Sequence, residues 1–135
     1  MKEQVQLARN SYTRCVGRKI IERFYAIFLK SHPDIAPLFT RTDFSIQHEA
    51  LRNGVHFAMM FAEGKQIAIG AIRRLGLKHD RHHLDIPPRL YPYWKASFLE
   101  AVADTDPEFS EAVRNAWGRV LQKTIDEMTA AYEAS

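Results

Sequence analysis

The chain has 135 residues, 46% of them hydrophobic, with 19 Lys and Arg against 16 Asp and Glu, and one cysteine. This length suits one domain over residues 1–135, since domains commonly run to roughly 100–150 residues, and the lone Cys15 excludes an internal disulfide and fits a reducing compartment. A dispersed net charge of +3 argues against a nucleic-acid footprint. No apolar run reaches the ~18 residues of a membrane span, and Met-Lys-Glu-Gln-Val-Gln lacks the apolar stretch of a secretory signal. The expectation is a cytoplasmic protein with neither membrane nor nucleic acid as partner.

Helical spacing dominates throughout, with no period-two alternation and no internal repeat. A first helix is predicted over Lys2 to Thr13 and a second from about Arg14 to Lys30, where Val16, Ile20, Ile21, Phe24, Phe28 and Leu29 share spacing. Ser31-His32-Pro33-Asp34 ends it, because proline cannot continue a helix interior. A short turn, Ile35 to Phe39, leads to a helix capped by Ser45, which carries Leu51, Val55, Ala58, Met59 and Ala62 on one face and ends at Glu63-Gly64. Gln66 to Lys78 is helical, with Gly70 and Gly76 as weak points of about 1 kcal/mol each. A connector, Asp80 to Pro88, precedes two long helices over Arg89 to Ala103 and Asp106 to Ala131, with Pro107 in the first turn of the latter. The fold class is all-α, with six to seven helices.

Three histidines in Lys78-His79-Asp80-Arg81-His82-His83-Leu84-Asp85 form the densest chemical cluster. A solvated polar loop, an axial ligand to haem and a transition-metal cage all fit that composition. The cage lacks the CxxC or HExxH that would accompany it. Phe24, Tyr25, Phe28 and Phe39 read as core aromatics, although a buried Tyr25 hydroxyl needs a partner. Gln47 and Leu51 lie four apart and so share a helix face. No nucleophile–base pattern, phosphate loop or spaced carboxylate pair points to hydrolytic chemistry. Arg73, Arg74, Lys78 and Arg81 read first as a solvated face.

Taken in order, Phe24-Tyr25, His32-Pro33, Leu38-Phe39, Lys78-His79, Tyr91-Pro92 and Ala116-Trp117-Gly118 resemble the single-domain bacterial haemoglobins and the globin half of flavohaemoglobins. Gln47-His48-Glu49-Ala50-Leu51 is similar to the family's distal-helix pattern, and the resemblance covers about residues 15 to 127. It implies a globin fold around haem b, with His79 as the metal ligand. It also implies a distal set of Tyr25, Gln47 and Leu51 and contacts to the porphyrin from Phe39, Val55, Tyr91, Lys78 and Ile86. Leu77 and Phe98 are further wall candidates. Arg52, Lys78, Arg81 and His83 are candidates for the propionates.

The physical logic is that a neutral imidazole is a good axial ligand that leaves a position for O2, NO or CO. Tyr25 and Gln47 would then favour O2, the better hydrogen-bond acceptor, by about 1–3 kcal/mol each in a dry pocket.

Two departures bear on the chemistry. The connector after His79 is about two residues longer than in those haemoglobins, which leaves His82 and His83 as competing ligands. Tyr132 stands where flavohaemoglobins carry a glutamate, with no carboxylate in sight to replace it, and this argues against oxygen activation. Leu84-Asp85-Ile86-Pro87-Pro88, Leu90-Tyr91 and Trp94 are also similar to globin-coupled sensors. The leading expectation is a gas-binding globin for storage, transport or sensing, with no catalytic residues. The alternatives are an NO dioxygenase or peroxidase-like enzyme served by an external reductase, and a haem-free signalling module. A homodimer through the two C-terminal helices and a separate reductase or signalling partner are the expected assemblies.

Overall fold

Apolar residues recurring every three or four positions generate six α-helices and two 3-10 turns in the computed structural model, which describes all 135 residues and contains no strand. The helices are α1 (Lys2–Val16), α2 (Ile20–Phe28), α3 (Phe44–Ala62), α4 (Gln66–His79), α5 (Tyr91–Thr105) and α6 (Glu111–Ala134), and the turns are Ala36–Phe39 and Pro88–Leu90. Helix α6 packs on α1, α3, α4 and α5, while α2 packs mainly on α5. Helix α4 touches α3 and α6 but neither α2 nor α5, so the layers separate on that side. The apolar face of α2 buries Ile20, Ile21, Phe24, Tyr25 and Phe28. Phe24, Phe98 and Trp117 meet at the centre, with ring centroids 5.8 Å apart for Phe24–Phe98 and 5.1 Å for Phe98–Trp117.

Several boundaries differ from the sequence expectation: α2 stops at Phe28, α5 spans Tyr91–Thr105 rather than Arg89 to Ala103, α6 runs on to Ala134, and three further differences involve breaks and caps. Helix α1 runs on to Val16, and the chain breaks at Gly17–Lys19, where Lys19 takes the left-handed φ of 60° that non-glycine residues rarely adopt. Asp43, rather than Ser45, caps α3, its side chain accepting from Ser45 N–H at 3.0 Å. Helix α6 begins at Glu111, capped by Ser110, and Pro107 lies in the preceding turn.

The reason for the last difference is Asp106. Its buried carboxylate accepts from Arg14 Nε at 2.6 Å, Arg14 Nη2 at 2.9 Å and Ser11 Oγ at 2.7 Å. It also accepts from Glu108 N–H at 2.9 Å. That carboxylate clamps α1 to the α5–α6 corner instead of starting a helix.

Gly76 has a packing role that its helix propensity hides. A Cβ there would lie 3.0 Å from Ala131 Cβ, so α4 and α6 approach closely at this point. Gly76→Val is therefore expected to lower the unfolding free energy by about 1–3 kcal/mol through overpacking, read as a lower urea midpoint. An unchanged midpoint would show that the two helices spread without cost.

Arg114, Asn115, Arg119, Lys123 and Asp126 occupy the outward face of α6. The homodimer expected through the last two helices would meet a polar surface there. No helix is long and apolar enough to cross a membrane.

Candidate functional site

His79 is the last residue of α4, and its ring is partly buried. Its Nδ1 lies 2.8 Å from the Leu75 carbonyl, one turn earlier. A carbonyl only accepts, so the proton sits on Nδ1 and the Nε2 lone pair of the neutral ring is uncommitted. Burial pushes the His79 pKa down, more than the Leu75 bond raises it, and Lys78 next door lowers it further. The neutral form, the one a metal needs, is thus favoured.

The connector folds back over the end of α4. Leu84 N–H donates to Lys78 O at 3.1 Å, Asp85 N–H to Asp80 O at 2.8 Å and Ile86 N–H to His79 O at 3.0 Å. Asp80 is buried and binds His83 Nδ1 at 2.7 Å and His82 N–H at 2.9 Å, and these bonds, the His83 one foremost, lower its carboxyl pKa. The His83 side chain is 58% exposed, and His82 lies in the exposed part of the connector. Of the three histidines, only His79 is withdrawn from solvent with a ring nitrogen to spare. No group of three or more His, Cys, Asp or Glu is placed to hold a metal ion, so the cage weighed from the sequence does not form.

Tyr25 on α2 and Gln47 on α3 meet directly, Gln47 Nε2 donating to Tyr25 Oη at 3.0 Å. Because the phenol oxygen accepts from Gln47, its own proton is free for another acceptor. Burial raises the Tyr25 pKa, only partly offset by Gln47, so the phenol stays protonated. Leu51 and Val55 are buried on the same side of α3, and Phe39, half-buried, lies edge-on to Tyr25 with centroids 6.1 Å apart.

The buried apolar residues fall into two groups. The larger contains Tyr25, Leu51 and Val55, with Phe39 and Trp94 packed against it. The smaller is Tyr91, Ile125 and Met128, with Leu75, Ile86 and again Trp94 around it. His79 is bonded to both Leu75 and Ile86 and so belongs beside the smaller group. Tyr91 brings a buried hydroxyl with no partner, its pKa pushed up to about 12 by burial and then by nearby Tyr132. A buried polar atom left alone is uncommon unless another group completes it.

Several expected residues lie elsewhere. Leu77 is 55% exposed, because it falls on the outer side of α4 from His79 and Leu75, and Lys78 is exposed beside it. Phe98 is 0% exposed and belongs to the central aromatic core with Phe24 and Trp117. Among the propionate candidates, Arg52 is drawn to Glu22 and Glu49, Arg81 lies over the Tyr132 ring at 4.8 Å and His83 is held by Asp80. The sequence reading missed Asp85. Its carboxylate accepts from Tyr132 Oη at 2.7 Å, so a carboxylate does reach the position on α6 where none was expected, arriving from the connector at a left-handed φ of 51°. Nothing near Asp85 in the sequence signals it, because the contact depends on the path of the connector.

A surface concavity of about 630 Å³ lies elsewhere, lined by the polar and charged residues Arg18, Lys19, Glu22, Arg23, Asp104 and Thr105. It contains neither His79 nor Tyr25 and no hydrophobic residue.

A family model described as Globin matches residues 22–128. The chain belongs to the globin family. This globin is 31% identical over 112 residues to the flavohemoproteins of Bacillus cereus and Bacillus thuringiensis subsp. konkukian, a match covering 82% of its own length and 27% of theirs. It thus spans about a quarter of those curated relatives. Its backbone matches a Pseudomonas aeruginosa PAO1 protein described as structurally highly homologous to a human hemoglobin. The TM-score is 0.92 and the identity 34%, with 96% of this chain and 98% of that one covered. The six-helix arrangement is the globin fold.

The residues present fit the haem that globins hold through a proximal histidine. The free Nε2 of a neutral imidazole suits the iron, the side chains of Leu51, Val55, Phe39, Leu75 and Ile86 suit an apolar plate, and the Tyr91 hydroxyl awaits a partner.

Proposed function

We propose that this globin binds haem b through His79 and reversibly holds O2, or another diatomic gas such as NO or CO, for storage, transport or sensing. The observation that carries the proposal is the His79–Leu75 bond, which fixes the imidazole as a neutral ligand with Nε2 to give. When bound, haem supplies an iron with one axial position for a gas. His79 would be the metal ligand, with Leu51, Val55, Phe39, Ile86 and Tyr91 around the porphyrin and Lys78 at its edge. Tyr25 offers an uncommitted phenolic proton to a gas molecule, while Gln47 holds the phenol oxygen in place. The half-buried Phe39 and buried Leu51 help keep water from that hydrogen bond, which raises its worth.

The hydrogen-bond partner of His79 also separates gas binding from oxygen chemistry. A carboxylate on Nδ1 would raise the basicity of the ligand, whereas the Leu75 carbonyl does so less. Asp85 meets Tyr132, and no carboxylate bonds the His79 ring. Reversible binding is favoured over turnover. The similarity to flavohemoproteins supports a second reading, NO dioxygenation served by a separate reductase, whose mark would be sustained NO consumption once a reductase is added.

Tyr25→Phe tests the distal assignment. O2 dissociation, followed by stopped flow, is expected to accelerate on the order of tenfold, with CO dissociation changing little. Equal O2 release by the two proteins would show that Tyr25 donates nothing to the gas.

A further inference from the structure

The ring of Tyr25 is held on several sides. Phe24, Phe39 and Phe44 lie edge-on at centroid distances of 4.9, 6.1 and 5.5 Å. The fourth neighbour differs in kind: the imidazole of His48 lies flat against the Tyr25 ring, 5.2 Å between centroids and 14° between planes. The three phenylalanines pack within the apolar core or against it. His48 is the polar member of the set, its side chain 22% exposed. Two further groups lie beside it. Glu22 Oε1, one turn before Tyr25 on α2, is 3.9 Å from His48 Nδ1, and Phe44 meets the imidazole edge-on at 6.1 Å. Arg52 Nη2 is also 3.9 Å from Glu22 Oε1, which holds that carboxylate between two α3 side chains.

We infer that His48 is a positioning residue for gas selectivity: stacked on Tyr25, it fixes the phenol whose proton discriminates O2 from CO. This rests on Tyr25 being the donor to the gas, as proposed above. The physical argument concerns torsional freedom. The Gln47 bond restrains the Tyr25 oxygen at one point, and the three phenylalanines meet the ring edge-on, which leaves rotation toward the His48 side to be checked by the imidazole. A flat partner covering one face removes that rotation, and offset aromatic pairs are worth enough to matter beyond the area they bury. The neighbours Gln47 and His48 thereby act on one side chain of the opposite helix, one on its oxygen and the other on its ring.

The test uses the haem-loaded protein with His48→Ala and His48→Phe, and Tyr25→Phe as reference. For His48→Ala, O2 dissociation is expected to accelerate about threefold to tenfold, the range an aromatic pair supports, with CO dissociation within twofold of the parent. In the infrared, the C–O stretch of its CO complex is expected to broaden or split as the phenol samples more than one orientation. His48→Phe, which keeps the stack and lacks the imidazole nitrogens, is expected to restore a single band and most of the slow O2 release. Unchanged O2 release and an unchanged C–O band in His48→Ala would overturn the inference, as would a parallel rise in both gas rates, which would mark His48 as a gate. If Tyr25→Phe itself leaves O2 release unaltered, the distal donor assignment fails first, an outcome distinct from a silent His48→Ala beside a responsive Tyr25→Phe.

Discussion

His79→Ala is expected to strip the protein of most of its haem. The substitution removes the one withdrawn imidazole nitrogen beside the Tyr91, Ile125 and Met128 group and leaves apolar walls that hold a porphyrin only by burial. The fold itself should survive, because His79 is partly exposed, its side chain bonds only the Leu75 carbonyl, and its backbone bond to Ile86 is kept by alanine. The expected result is a helical protein, by far-ultraviolet circular dichroism, that takes up haemin weakly and regains a five-coordinate-type ferrous spectrum when imidazole is added to fill the vacated space. His82→Ala should leave the spectrum unchanged, since His82 lies in the exposed part of the connector. His83→Ala should leave it unchanged too while costing stability, because buried Asp80 then loses its ring partner. A spectrum that survives His79→Ala and collapses on either of the others would move the ligand along the connector.

Asp106→Ala is expected to be the most damaging change to the fold among those away from the site. It strands the Arg14 guanidinium, removes the acceptor of Ser11 Oγ and frees the Glu108 amide. Breaking one partner out of such a buried pair costs about 3 kcal/mol, which for a domain of this size is a fall in Tm of roughly 10 °C.

The same clamp gives a pH signature. Burial alone would raise the Asp106 carboxyl, but the bonds from Arg14, Ser11 and the Glu108 amide outweigh it and hold the pKa at about 2. A carboxyl depressed on folding contributes its full stability above its ordinary value of about 3.9 and loses it as pH falls through its folded value. The contribution, about 2 kcal/mol at neutral pH, should therefore vanish between about pH 4 and pH 2. Urea midpoints taken across that window should fall in the parent protein and fall less in Asp106→Ala. Parallel curves would mean that the clamp carries no such linkage.

These cases also show which features local sequence can carry. The α2 aromatics and the segment ending at His79 are local patterns, spaced by the helix period, and they survive into the structure with their partners. The Arg14–Asp106 clamp joins residues 92 positions apart, and nothing near Asp106-Pro107 distinguishes a buried carboxylate from a helix start. The break at Gly17–Lys19 was equally hidden, because the residue that turns left-handed is a lysine. Within the site, periodicity marked Phe98 and Leu77 as apolar but could not say which side each would face; one became core and the other surface. The Tyr132–Asp85 contact needed the path of the connector, and the His48 stack needed the crossing of α2 and α3.

The central claim is that this chain is a haem globin with His79 as the iron ligand and a pocket open to gas. Optical absorption of the purified protein supplied with haemin, recorded ferric, dithionite-reduced and under CO, tests it most directly. Haem held by His79 should give a strong Soret band that shifts on reduction and sharpens on CO addition, and that is lost or much weakened in His79→Ala. Free-haemin spectra in all three states, with the protein folded, would contradict it.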